Sequence, residues 1–210
     1  MGEVLRLIKH LDIDLDHLLA EPGVRSLKGL LFVQFYASYE FTVVNSFAAT
    51  IRQLNILSIP LKHLKLPTLG LALHTTFKSY QDTSERRGWL TKIKLMDLCQ
   101  SHETSAIPEQ LFPRDESQFR TPQLDIICQL MSLPPGALLP SLRLKGWIEE
   151  VVENRNAIAH GRETAETIGG RFTSHDLEIR LNQLNLLCNH IVATLEVHSA
   201  TRSNFEKQSI

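Results

Sequence analysis

The stretch Gly146-Trp147-Ile148-Glu149-Glu150-Val151-Val152-Glu153-Asn154-Arg155-Asn156-Ala157-Ile158-Ala159-His160-Gly161 decides how the rest of the chain is read. Advanced by 100° per residue, Trp147, Ile148, Val151, Val152, Ile158 and Ala159 fall in one apolar sector, while Glu149, Glu150 and Glu153 occupy the opposite side. This is a helix with one oily face. Gly161, suited to the left-handed position that closes helices, ends it just after His160. Arg155 falls in the middle of the apolar sector, where burying a lone charge costs several kcal/mol.

A second helix, expected from about Ser26 to Leu57, repeats the anomaly with opposite sign: Glu40 sits amid Val33, Tyr36, Val44, Phe47 and Ile51. The two charges must either meet each other or open onto a wet cleft. Within this helix the run Leu30 to Ala49 is apolar enough to raise the question of a membrane span. Gln34, Glu40 and Asn45 interrupt it, and a buried helix of a bundle accommodates a carboxylate better than a lone span does.

Upstream, Val4, Leu7, Ile8, Leu11, Leu15, Leu18 and Leu19 mark one helical face over about Glu3 to Ala20, which Glu21-Pro22-Gly23 breaks. Downstream, Thr173-Ser174-His175-Asp176 resembles a capping signal. It opens a last helix carrying Leu177, Leu181, Leu184, Cys188, Ile191 and Leu195 at spacings of three and four. The middle, about 58–145, holds most of the prolines and reads as short helices separated by turns, with Thr121 to Ser132 the clearest. No strand alternation and no internal repeat emerges. The expected architecture is all-α: one helical domain over 1–197 with a long buried second helix and an irregular helical insertion at 58–145. A polar tail, 198–210, is expected to fray.

A net charge of −1 gives no global basic field, so a polyanion must be held by a local patch or by a surface shared between subunits. Cys99, Cys128 and Cys188 are odd in number and far apart, which fits a reducing, cytoplasmic setting rather than a disulfide framework. The opening Met1-Gly2-Glu3-Val4-Leu5-Arg6 lacks a signal-peptide core and a myristoylation pattern, so neither export nor a lipid anchor is expected. His63 with His74, or Cys188 with His190, lacks the number and spacing of ligands for a metal site, and no metal or other cofactor is expected. Ser174-His175-Asp176 is a helix cap rather than a triad, because sequence neighbours cannot point at one another. Glu85-Arg86-Arg87 reads as a solvated turn.

The string Glu153-Asn154-Arg155-Asn156-Ala157-Ile158-Ala159-His160-Gly161 resembles the arginine, four to six residues, histidine motif of HEPN domains, including the polar residue, here Asn156, directly after the arginine. The surroundings are similar too: a long early helix with an interior acidic residue, a helix ending in the motif, and a last amphipathic helix. The resemblance covers about residues 26–57 and 119–197 and leans towards the RiboL-PSP and MAE-type members. HEPN toxins paired with a nucleotidyltransferase antitoxin often carry a tyrosine two positions after the histidine; Arg162 stands there instead.

What the resemblance implies is a metal-independent endoribonuclease. Arg155 and His160 would be the catalytic pair, Asn156 and Glu40 would support them, and Arg162 would contact the RNA substrate. Five residues rotate a straight helix by about 140° net, so Arg155 and His160 work together only if the helix ends there. The resemblance further implies a homodimer whose two motifs face one cleft, and a toxin or defence effector with a neutralising antitoxin or defence-system partner. The competing expectation is a non-catalytic HEPN module, a helical interaction or RNA-binding subunit that keeps the motif for folding or dimerisation.

Overall fold

The computed structural model describes residues 3, 6, 7, 9, 22–81, 85–104, 106–111 and 119–207. Their regular elements are α1 (Pro22–Leu57), α2 (Leu66–Ala72), α3 (His74–Gln81), α4 (Glu85–Cys99), α5 (Thr121–Leu130), α6 (Leu142–Ala159), α7 (Ala165–Gly169) and α8 (Ser174–Ser199), with 3-10 turns at Leu61–His63 and Arg202–Asn204. The protein is all-α, as expected. Among the described residues the only β pairing is an isolated bridge, Leu64 to Glu206. None of the described helices is long and apolar enough to cross a membrane. The helix expected over 3–20 lies almost wholly outside the described residues.

Pro22 starts α1 rather than merely breaking the chain, since its fixed φ and missing N–H suit a first helical position. Phe32, Phe35, Tyr36, Tyr39, Val43, Phe47, Ile51 and Leu54 form its buried line at spacings of three and four. That line runs through Tyr39 and Val43, which leaves Glu40 half-buried on its flank rather than at its centre. The reason is that α1 is apolar around much of its circumference, so a helical wheel has no unique centre. Glu85-Arg86-Arg87, expected as a turn, opens α4.

Helix α6 buries Leu144, Trp147, Ile148, Val151 and Val152, and Arg155, seven residues after Ile148, continues that line half-buried at the C-terminal end. The helix closes as anticipated on Gly161, at φ +66°. Arg162 N donates to Ala157 O at 2.9 Å and Gly161 N to Ile158 O at 3.1 Å, the paired bonds of a Schellman closure, with His160 as the C-cap. A Cβ at Gly161 would meet nothing within 4 Å, so only backbone strain opposes a side chain there. Gly161→Ala is therefore expected to cost about 1–2 kcal/mol, read as a lowered thermal unfolding midpoint.

The cap before α8 is also as read. Thr173 Oγ1 accepts from Asp176 N at 3.1 Å, and Asp176 Oδ2 accepts from Thr173 N at 2.9 Å. The Thr173 hydroxyl and backbone amide hold the Asp176 carboxyl below its ordinary pKa. Leu177, Leu184, Leu187, Ile191 and Leu195 are buried along α8.

The chain divides into two compact units, residues 1–43, 115–122 and 139–192, and residues 44–114, 123–138 and 193–210. In the first, the Phe32 and Phe172 rings lie 4.7 Å apart, and Tyr39 meets Trp147 edge-on at 6.3 Å. Arg180 of α8 grips Glu150 of α6 with two bonds, at 2.9 and 3.1 Å. Helices α1 and α7 approach so closely that a Cβ on Gly29 would strike the Ala165 carbonyl, and one on Gly169 the Arg25 carbonyl.

The second unit buries Phe47, Ile51, Leu61, Leu124, Ile127, Met131, Leu138 and Phe205. Asn55 ties the Ile107 backbone in both directions, at 2.8 and 2.9 Å. The segment after Val197, expected to fray, is instead docked as far as Lys207. Phe205 is fully buried, Lys65 N donates to Phe205 O and Lys207 N to His63 O, both at 2.8 Å. One aromatic residue in a polar run supplied the anchor. The 58–145 stretch is itself shared: 58–114 and 123–138 fall in the second unit, 115–122 and 139–145 in the first.

Candidate active site at the end of helix α6

All five residues singled out in the sequence belong to the first unit. The Arg155 guanidinium lies over the Tyr36 ring, 4.6 Å from its centroid, and its Nη1 donates to Asn156 Oδ1 at 3.0 Å. Stacking and this single bond fix the plane of the fork. Its other N–H groups have no protein partner among the described residues. Asn156 is buried at 4% exposure and so serves as a fixed post for the arginine.

Arg155 and Glu40 do not form an ion pair among the described residues. Tyr36, one turn before Glu40 on α1, receives both fields instead. Burial pushes the Tyr36 phenol above its ordinary pKa; Glu40 adds to that rise and Arg155 opposes it. The neutral hydroxyl accepts from Phe119 N at 3.4 Å. Glu40 and Arg155 thus share Tyr36 as a neighbour without a direct ion pair among the described residues.

His160 is exposed, and its imidazole has no partner among the described residues. Its position is set entirely by backbone: His160 N donates to Asn156 O at 2.9 Å as the helix closes. Thus the chain ends α6 between the arginine and the next free donor, leaving one half-buried cation on the helix and one solvated imidazole at its cap.

Arg162, brought round by the Schellman turn, pairs with Glu153 at 2.9 Å. Arg120 joins the same carboxylate at 3.6 Å and also bonds Glu149. Glu153 thus holds two arginines, in pairs exposed enough to be individually weak. Tyr36 and Arg120 were not foreseen. Tyr36 had a signal, lying four residues before Glu40 on one helix face; Arg120 had none, because it reaches α6 from an irregular segment. Among the described residues no three His, Cys, Asp or Glu side chains gather as metal ligands would.

Comparison with protein-family models, with curated proteins and with solved structures gave no match.

Proposed function

We propose that this chain is a metal-independent endoribonuclease, its chemistry carried by Arg155 and His160 at the end of α6. One observation carries the reading: a guanidinium oriented by an aromatic ring and a buried amide, followed at the same helix's cap by an exposed imidazole, both with donors that have no partner among the described residues. The resemblance of residues 153–161 to the HEPN motif supports it.

In this mechanism the imidazole of His160 takes the proton of a ribose 2′-hydroxyl, or gives one to the departing 5′-oxygen, directly or through a water. The 2′-oxygen then bonds to phosphorus as the 5′-oxygen leaves. The Arg155 fork binds non-bridging oxygens and stabilises the charge that grows as phosphorus becomes five-coordinate. Asn156 holds the fork in register, and Arg162 and Arg120, released from Glu153, grip flanking phosphates. A single imidazole does not serve as both base and acid at once, so a homodimer with two facing motifs completes the site. Its role, as the HEPN resemblance implies, is that of a toxin or defence effector restrained by a neutralising antitoxin or defence-system partner.

The test is an oligonucleotide pair of one sequence, RNA and DNA, incubated with the full chain and a chelator. RNA is cut and DNA, lacking the nucleophile, stays whole. Cutting of both, or of RNA only when a divalent ion is supplied, contradicts the proposal.

A further inference from the structure

His198, in the last turn of α8, belongs to the second unit and takes no part in the site at the end of α6. Its Nε2 faces the Met131 carbonyl at 2.7 Å, so that nitrogen carries the proton and donates. Phe205, itself fully buried, covers the half-buried imidazole edge-on, with ring centroids 5.1 Å apart. The same segment closes around it: Asn204 Nδ2 donates to His198 O at 2.9 Å, and Lys65 Nζ donates to Asn204 O at 2.8 Å. A neutral ring fits this enclosure.

A second proton, on Nδ1, does not. Burial holds His198 below the ordinary histidine pKa; the Met131 carbonyl opposes this, and the Lys65 ammonium adds to it. Among the described residues no carboxylate is set against the ring to compensate. Arg202 and Glu206 pair with each other at 2.8 Å, Lys207 Nζ lies on the Lys62 carbonyl, Glu196 of α8 is exposed, and the end of α5 from Gln129 to Leu133 bears no charge.

Lifting residues 201–207 relieves both costs at once, since it bares the ring that Phe205 covers and frees Lys65 from Asn204 to turn into solvent. The end of α5 yields less readily, because Met131 N and Leu133 N are bonded back into that helix, to Ile127 O at 3.0 Å and Cys128 O at 2.8 Å. We infer that His198 is an acid-sensitive latch: its neutral ring keeps residues 201–207 docked, and its protonation releases them. Above about pH 6.5 the docked and open forms both hold a neutral ring, and the latch stays shut. Below that, the open form takes up a proton that the docked form resists, so the open population grows by up to about tenfold per pH unit until the docked ring itself titrates. This inference is independent of the nuclease reading.

The test is amide hydrogen exchange of the full chain between about pH 7.5 and about pH 5, read at Lys65 and Lys207, whose N–H groups donate to Phe205 O and His63 O, both at 2.8 Å. Corrected for the intrinsic exchange rate, opening at these two amides should be flat above about pH 6.5 and rise by up to about tenfold per unit below it, while the Leu195 amide within α8 stays protected. His198→Gln keeps an N–H for the Met131 carbonyl and cannot take a charge, so its profile should stay flat. The wild-type ring, followed by NMR, supplies the same test without a substitution: it should titrate over the pH span in which the two amides open. An equal rise in the glutamine variant overturns the inference. So does a rise shared by Leu195, which marks unfolding of the whole unit, or a ring that titrates while both amides remain protected.

Discussion

Replacing His160 by alanine is expected to abolish chelator-resistant RNA cleavage while leaving the folded chain intact. The imidazole is exposed and makes no side-chain contact among the described residues, and the cap it occupies is built from backbone bonds. Its removal should therefore change stability by no more than about 0.5 kcal/mol. Loss of a general base or acid, in contrast, lowers the rate by about 10²–10⁴-fold. Arg155 behaves differently, because it is packed as well as placed. Arg155→Ala removes the stack on Tyr36 along with the phosphate grip, so activity and unfolding midpoint should both fall. Arg155→Lys keeps the charge but not the planar fork, and should retain most of the stability while losing most of the rate. A non-catalytic helical module makes the opposite prediction for His160→Ala: RNA, in every assay, would be treated alike by wild type and variant.

Gly29→Ala is expected to be severely disruptive for so small a substitution. The added methyl would lie inside the Ala165 carbonyl of α7, and α7 in turn sets Gly169 against the Arg25 carbonyl. Both obstacles are backbone, so no rotamer change relieves them, and the helices must separate. Overpacking of movable side chains already costs about 1–3 kcal/mol, and this crossing should exceed that range. Chemical denaturation of Gly29→Ala should show a collapse of the midpoint or an insoluble product, whereas Gly70→Ala, where a Cβ meets nothing within 4 Å, serves as a control with only a small change. The consequence reaches the site: α1 carries Tyr36, and a displaced α1 takes the stacking surface from under Arg155.

The elements legible in the sequence were those with period and punctuation. The apolar line of α6, its stop at Gly161, and the Thr173-Asp176 box before α8 each rest on interactions among residues at most five apart, and such interactions leave a local trace. The helix wheel also rightly put Arg155 on the inward side of α6, seven residues after Ile148. It misjudged Glu40, since α1 is oily around most of its girth and the true centre of its buried line is fixed by distant partners such as Trp147 against Tyr39.

Contacts made between distant segments left no such trace. Arg120 reaching Glu149 and Glu153, Phe205 anchoring the segment after Val197 as far as Lys207, and the Gly29 to Ala165 crossing all depend on residues far apart in sequence. The candidate site follows the same division. Arg155, Asn156 and His160 share one local segment and were readable from it; Tyr36 had only its place one turn before Glu40 as a signal, and the grip of Arg120 on Glu153 had none.

The chemistry at the end of α6 is tested most directly by the end groups of RNA cut by the full chain in the presence of a chelator. Attack by the 2′-oxygen leaves 2′,3′-cyclic phosphates on one fragment and 5′-hydroxyls on the other, so the fragments should resist 3′-end ligation until the cyclic phosphate is opened and removed. Fragments bearing 5′-phosphates and free 3′-hydroxyls would mean that water, not ribose, was the nucleophile, and would contradict the roles given to His160 and Arg155.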